Sequence, residues 1–284
     1  MKTALATWKW SLGVIARSPL VLLALAAVAA AWLYGAYRWL WFPAESAGYL
    51  LVAGALWALV QFLVLAGFVA GTAGSATDAA AEGGASLGLR KTVPTGRSPW
   101  LRGLVFVAVA SLVIAAVHWL FTFVNTFSLE VASVLTFRSE KPVAPETVES
   151  VLVWIENLLW VVVLGFLLNL LLALLREGWR EAVRAMPRLL AGACWRLPFL
   201  TGLVSVFVFG GFACLLVTWR PQAPPGFLDY AQVLLRNGIA LLLAVAAWLF
   251  WALSLARQSA AAPALPQTSA GTPGSDPEPH ASDF

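Results

Sequence analysis

Charge is what this sequence has least of. Charged residues make up 11% of the 284 positions, where a soluble domain carries about a quarter. A water-exposed fold with so little charge would present large apolar patches. Histidine is nearly missing as well: His118 and His280 are the two in the chain, which excludes a histidine-based zinc cluster. There is no Gly-x-x-x-x-Gly-Lys-Ser/Thr phosphate loop and no His-Glu-x-x-His pair. No polar stretch is long enough to form a separate catalytic domain. A basic stripe interleaved with aromatics, the footprint of nucleic-acid binding, is also lacking. The sequence therefore assigns no catalytic residue, no cofactor and no metal site, and it points to no nucleic-acid partner.

What is present is oil. Apolar residues reach 61% and the mean hydropathy is +0.82. A helix needs about 20 apolar residues to cross ~30 Å of hydrocarbon. Six runs qualify, at roughly 19–41, 48–72, 101–125, 151–175, 199–219 and 232–256. They lack the period-two alternation of a β-barrel, so each is expected to be a helix whose backbone satisfies itself. The fold class is all-α and polytopic, a six-span membrane domain over 1–257. The first run follows Lys2, Lys9 and Arg17 but is longer than a signal-peptide core and ends in aromatics, so it reads as a retained span. Cys194 and Cys214 fall near a membrane surface and inside a span. They are expected to be small apolar fillers, not a disulfide.

Lys and Arg placement orients the bundle. With the N-terminus inside, thirteen of the 18 basic residues are inside: Lys2, Lys9, Arg17, Arg90, Lys91, Arg97, Arg102, Arg176, Arg180, Arg184, Arg188, Arg196 and Arg257. Only Arg38, Arg138, Lys141, Arg220 and Arg236 are outside. Both termini are thus expected on the cytoplasmic side of the membrane. Tryptophans agree as interfacial anchors, with Trp39, Trp41, Trp119 and Trp219 at the outer boundary. Trp8, Trp10, Trp100, Trp179, Trp195 and Trp251 fall at the inner one.

One punctuation recurs at inner span starts: "RSPLVLL" (17–23), "RSPWLRGLVFV" (97–107) and "WRLPFLTGLVSV" (195–206). Proline in a first helical turn forfeits no hydrogen bond, and the arginine can reach headgroups. Amphipathic segments precede two of the three. In "REGWREAVRAMPRLL" (176–190), Arg176, Arg180, Arg184 and Arg188 share one face with Glu177 and Glu181. Trp179, Ala182, Val183, Met186 and Leu190 share the other, the pattern of a helix lying flat in an interface. Leu5, Trp8, Leu12 and Ile15 form a weaker stripe. These features predict three helical hairpins with amphipathic cytoplasmic elbows, over about 1–74, 75–175 and 176–257. Residues 127–149 are expected to be the largest external segment, continuing the third helix at first. Residues 258–284, rich in Pro, Ala, Ser and Gly, are expected to be a disordered tail.

Ionisable residues inside spans are costly, about 2.5–3.5 kcal/mol at mid-helix. Glu156 in span four, His118 in span three and Arg236 in span six fall at one depth near the outer side, with Asn125, Asn157 and Asn237 close by. They form the candidate intramembrane polar site, in which Glu156 and Arg236 would bind or relay an ion. The alternative is that they snorkel or form a static pair. Gln61 and Asn169 are expected to make interhelical hydrogen bonds. The small-residue spacing of Gly67 and Gly71 predicts close helix packing, as does the Gly210-Gly211 pair.

"GTAGSATDAAAEGGASLGLRK" (71–91) and "LLREGWREAVRAMPRLL" (174–190) resemble elements of the six-span membrane domain attached to some bacterial glycerophosphodiester phosphodiesterases, and of its stand-alone relatives. The resemblance covers most of 1–257 and rests on small-residue and amphipathic patterns. The phosphodiesterase barrel is absent, and no site residue carries over. The expected function is a non-enzymatic accessory or scaffold component that works with the bilayer and with partner membrane proteins or copies of itself. The competing reading is a small transporter, permease subunit or lipid-handling protein using the His118/Glu156/Arg236 level, and an enzyme acting on lipid headgroups is a third. The orientation is checked by thiol labelling: a cysteine placed at Pro145 should react only with reagent added outside the cell.

Overall fold

A computed structural model describes residues 2–41, 46–84, 86–94, 96–139, 141–194, 197–219 and 227–261. Among them every regular element is helical: α1 (Lys2–Ala16), α2 (Pro19–Leu40), α3 (Ala47–Glu82), a 3-10 turn (Leu89–Thr92), α4 (Arg97–Asn125), α5 (Ser128–Ser139), α6 (Pro145–Glu177), α7 (Trp179–Cys194), α8 (Leu197–Leu203), a π-helical stretch (Val204–Gly210), α9 (Gly211–Thr218) and α10 (Phe227–Ala261). Six are long and apolar enough to cross a membrane: Pro19–Arg38, Leu51–Glu82, Arg97–Asn125, Pro145–Glu177, Leu197–Thr218 and Leu228–Ala261. The chain is an all-α multi-pass membrane protein. Residues 258–261, expected in the tail, instead extend α10, while 262–284 with His280 lie outside the described residues. So do Trp195, Arg196 and Arg220.

The helices converge at the end that carries α1 and α7. There α10 is buried without a break from Leu249 to Ala256. Of its apolar window 61% is buried, against 17–44% for the other spans, so α10 is the central post. Small residues allow the approach: a Cβ at Gly103 of α4 would stand 2.9 Å from Ala70 Cβ and 3.1 Å from the Ala66 carbonyl oxygen of α3. At the opposite end, which carries α5, the spans expose Leu51, Leu112, Trp154, Leu215 and Leu234. These side chains face outward, and lipid covers them without penalty.

The prolines behave as their position requires. Pro19 opens α2, and Pro99 and Pro198 sit in the first turns of α4 and α8. Beside the first of them, Ser18 Oγ donates to the Val14 carbonyl (2.8 Å) and accepts the Leu87 N–H (2.7 Å), tying the α1–α2 elbow to the loop after α3. The surface element of the second unit is short and irregular, because α3 runs on to Glu82 and a loop follows. Gly83 ends α3 with φ +64°, and both its N–H and that of Gly84 reach the Ala79 carbonyl, the left-handed helix stop that glycine favours. Gly178 (φ +86°) turns α6 into α7, which packs along α6 through Ala182 while Trp179, Val183 and Leu190 stay exposed.

Several expectations are corrected. The third helix does not continue past Thr126, whose hydroxyl donates to the Phe123 carbonyl at 2.6 Å and so competes with the helical ladder. A separate α5 then packs on α6, with Ser128 Oγ 3.4 Å from Glu149 Oε1 and the Val143 N–H donating to Thr136 Oγ1 (2.9 Å). Trp251 is no interfacial anchor: it is buried, wedged between Gly165 and Gly202. Trp8 is a pin, its Nε1 donating to Thr201 Oγ1 at 3.0 Å. Arg102 and Arg176 are turned to protein, not headgroups. Arg102 donates to the Leu174 and Leu175 carbonyls (3.2 Å each) and Arg176 to that of Ala256 (3.0 Å); Arg102 thereby caps the electronegative end of α6. Gly67 and Gly71 receive the Trp100 ring and the Thr92 carbonyl, not the backbone of a neighbouring span. Gly210 and Gly211 have no close neighbour and end the π-helical stretch. Cys194 and Cys214 are free and exposed, not fillers.

A Cβ at Gly71 would overlap the Thr92 carbonyl oxygen, whereas Gly74, one turn on, has nothing within 4 Å. Gly71→Ala should therefore destabilise the bundle by about 1–3 kcal/mol, lowering its melting temperature in detergent. Gly74→Ala should leave it unchanged or raise it slightly.

Candidate functional site

Span six brings Arg236 to the α5 end, where its Nη1 donates to the Trp219 carbonyl; its Nε is buried without a partner. Glu156 is half-buried on α6 and accepts from Trp160 Nε1, one turn along the same helix, at 3.3 Å. His118 is exposed on α4, and its carbonyl accepts the Thr122 hydroxyl at 2.9 Å. The Asn157 side chain donates to the Val153 carbonyl of its own helix at 2.9 Å. Among the described residues the ion pairs are Lys91–Glu82 (2.7 Å) and Arg184–Glu181 (2.8 Å), so the structure does not join Glu156 to Arg236. The side-chain hydrogen bonds made by Glu156, Asn157 and Arg236 stay within their own helix or hairpin. None of the three lines the recesses described below.

The recesses lie elsewhere. One, of about 320 Å³, opens between α2, α3 and α10 and is lined by Val28, Trp32, Val64, Phe68, Leu241 and Trp248 among others. Its hydrogen-bonding groups are two indole N–H groups, and both are engaged: Trp32 Nε1 donates to the Gln61 carbonyl (3.0 Å) and Trp248 Nε1 to Thr72 Oγ1 (2.9 Å). A cavity so lined gives water nothing to bond and stays dry. A second, of about 620 Å³, opens between α2, α3 and α4 beside Ala36, Tyr37, Gln61, Phe62 and Ser111. Here the α2–α3 hairpin is closed by two indoles in opposite senses, because Trp57 Nε1 donates to the Gly35 carbonyl at 3.0 Å. The Gln61 amide packs onto Gly35, where a Cβ would overlap it. The interhelical bond expected of this side chain is not made through its oxygen, since Gln61 Oε1 is buried without a partner. No hydrogen bond reaches the Asn169 side chain from another described span.

Sequence reasoning missed Trp32, Trp57 and Trp248 as internal donors. Their signal is position: they fall well inside spans, where an indole N–H has no water and must find a carbonyl or hydroxyl. No group of three or more His, Cys, Asp or Glu side chains able to hold a metal ion occurs among the described residues. Compared with known proteins, the chain matches no family model, no curated protein and no solved structure.

Glu156→Gln keeps an oxygen for Trp160 Nε1 and removes the charge. The variant should match the wild type in melting temperature and in the proteins and lipids it retains on purification. A change in what is retained, with melting unaltered, would restore Glu156 as a functional group.

Proposed function

We propose that this chain is a non-enzymatic component of a membrane assembly, a scaffold whose splayed half receives apolar partners within the bilayer. The observation that carries the reading is the pairing of a densely packed end with one whose side chains face outward, beside an α2/α3/α10 crevice that is apolar and dry. A solute pathway needs polar groups from several spans to converge, and a lipid-headgroup enzyme needs a nucleophile or metal cluster. The groups available for the first, His118, Glu156 and Arg236, are held on separate helices. The α2/α3/α10 crevice is partly open and offers Leu241 and Val64 to a neighbouring helix.

The orientation proposed from the basic residues puts α1 and α7 on the cytoplasmic side of a bacterial inner membrane, with both termini inside. The exposed Arg180, Arg184 and Arg188 of α7 then face anionic lipid, the arrangement expected of an interfacial helix. The likeness of 71–91 and 174–190 to the membrane domain of glycerophosphodiester phosphodiesterases accords with a role beside a partner, without hydrolase activity.

The test is purification of the tagged full chain in native lipid with a photo-crosslinking residue at Leu241, followed by mass spectrometry. The expected result is a stoichiometric membrane protein joined at Leu241 and not from a probe at Arg188. A lone chain that carries a specific solute would overturn the scaffold reading in favour of transport.

A further inference from the structure

At the α1/α7 end a recess of about 390 Å³ lies between α1 and the turn that ends α3, lined by Lys9, Trp10, Gly13, Arg17, Gly83 and Gly84 among others. Lys9, Gly13 and Arg17 follow one another at four-residue spacing, so they are neighbours along a single face of α1. Gly13 leaves the space between the two cations open: a Cβ there would meet nothing within 4 Å. Both cations are exposed, and neither has a hydrogen-bond or ion-pair partner among the described residues. A third, the Arg257 guanidinium, lies 4.7 Å from the centroid of the Trp10 ring that lines the recess.

The opposing charge is small. Glu82 does not line the recess and is held by Lys91, whose Nζ stands 2.7 and 2.8 Å from its two oxygens; that hydrogen bond raises the Lys91 ammonium above its ordinary value. The C-terminal ends of α1 and α3 each bring about half a negative charge, so together they offset one of the two cations that line the recess; Arg257, like Glu82, does not line it. What remains is a net positive recess with an aromatic wall and a glycine floor. Its surroundings are apolar as well: Leu5 and Leu12 are exposed on the same helix, and the first span starts at Pro19, two residues after Arg17.

We propose that this recess binds the phosphate of an anionic phospholipid headgroup, held by Lys9 and Arg17 with the acyl chains running beside the exposed leucines. The inference is independent of the scaffold reading, since it needs only α1 and the turn after α3.

The full chain in phosphatidylcholine nanodiscs doped with phosphatidylglycerol, released into native mass spectrometry, reports the lipid that stays bound. The wild-type chain should retain one phosphatidylglycerol. Lys9→Gln with Arg17→Gln should retain at least about tenfold less, on ~1 kcal/mol per basic residue near an anionic surface. Gly13→Leu, which fills the recess and leaves both charges in place, should lose the lipid too, while Arg180→Gln with Arg184→Gln on α7 should keep it. Melting curves of all variants separate loss of lipid from loss of fold. Equal retention by the wild type and by the folded Lys9/Arg17 variant overturns the proposal. Inorganic phosphate bound in pure phosphatidylcholine discs as tightly as the lipid would assign the recess to a soluble phosphate and overturn the lipid as its occupant.

Discussion

The buried stretch of α10 from Leu249 to Ala256 is the constraint on which the other spans depend. Lipid tails are as apolar as leucine, so helices in a bilayer gain little from mere apolar contact and need close approach or hydrogen bonds. α10 supplies both. Ser254 Oγ meets Ser11 Oγ of α1 at 2.9 Å, and Phe250 tilts against Trp8 with ring centroids 6.5 Å apart. Trp248 reaches Thr72 of α3, and the Ala247 carbonyl accepts Ser205 Oγ of the π-helical stretch at 3.1 Å. The Trp251 ring fills the space left by Gly165 of α6 and Gly202 of α8. The bundle is thus pinned at one level, and that level is the end carrying α1 and α7.

Pinning at one end lets the other end spread. At the packed end large side chains such as Phe250, Leu168 and Leu253 are fully buried between helices, whereas Leu51, Leu215 and Leu234 toward the other end face outward. The π-helical stretch belongs to the same logic. Its wider turn carries span five from the close Gly202–Trp251 contact to a lipid-exposed α9, and the stacked Trp154 and Phe207 rings, 6.1 Å apart, are a main link between α6 and span five beyond that point.

The spans were legible because a run of about 20 apolar residues admits one solution in lipid. The elbows were legible because proline and arginine at a span start each have a physical reason. What could not be read was the rotation of each helix about its axis. Depth along a span puts His118, Glu156 and Arg236 at one level, but whether they face one another depends on which side of each helix is turned inward. These spans are apolar all round and give no periodic cue. The same ambiguity hid Trp251, since an indole near a span end reads alike whether it anchors in the interface or fills a gap between two glycines. The break at Thr126 was hidden for a different reason. Hydropathy is unchanged across it, and hydroxyl-to-carbonyl bonds like that of Thr126 also occur inside unbroken helices, as at Thr77 in α3 and Ser133 in α5.

The fate of the polar groups separates the two halves of the molecule. At the packed end Trp8, Ser11, Ser205 and Trp248 have partners on another helix, two arginines close exposed carbonyls, and the buried Trp251 Nε1 is left without a partner. Toward the open end the polar groups turn back onto their own helix or hairpin, as Glu156 does to Trp160 and Arg236 to Trp219. Gln61 Oε1 and Asn125 Oδ1 are left without a partner. An unpaired acceptor is costly in hydrocarbon, so that end is the less complete part of the structure. A pathway for ions would need such acceptors gathered from several spans into one line, and here Gln61 Oε1 and Asn125 Oδ1 are buried apart on α3 and α4.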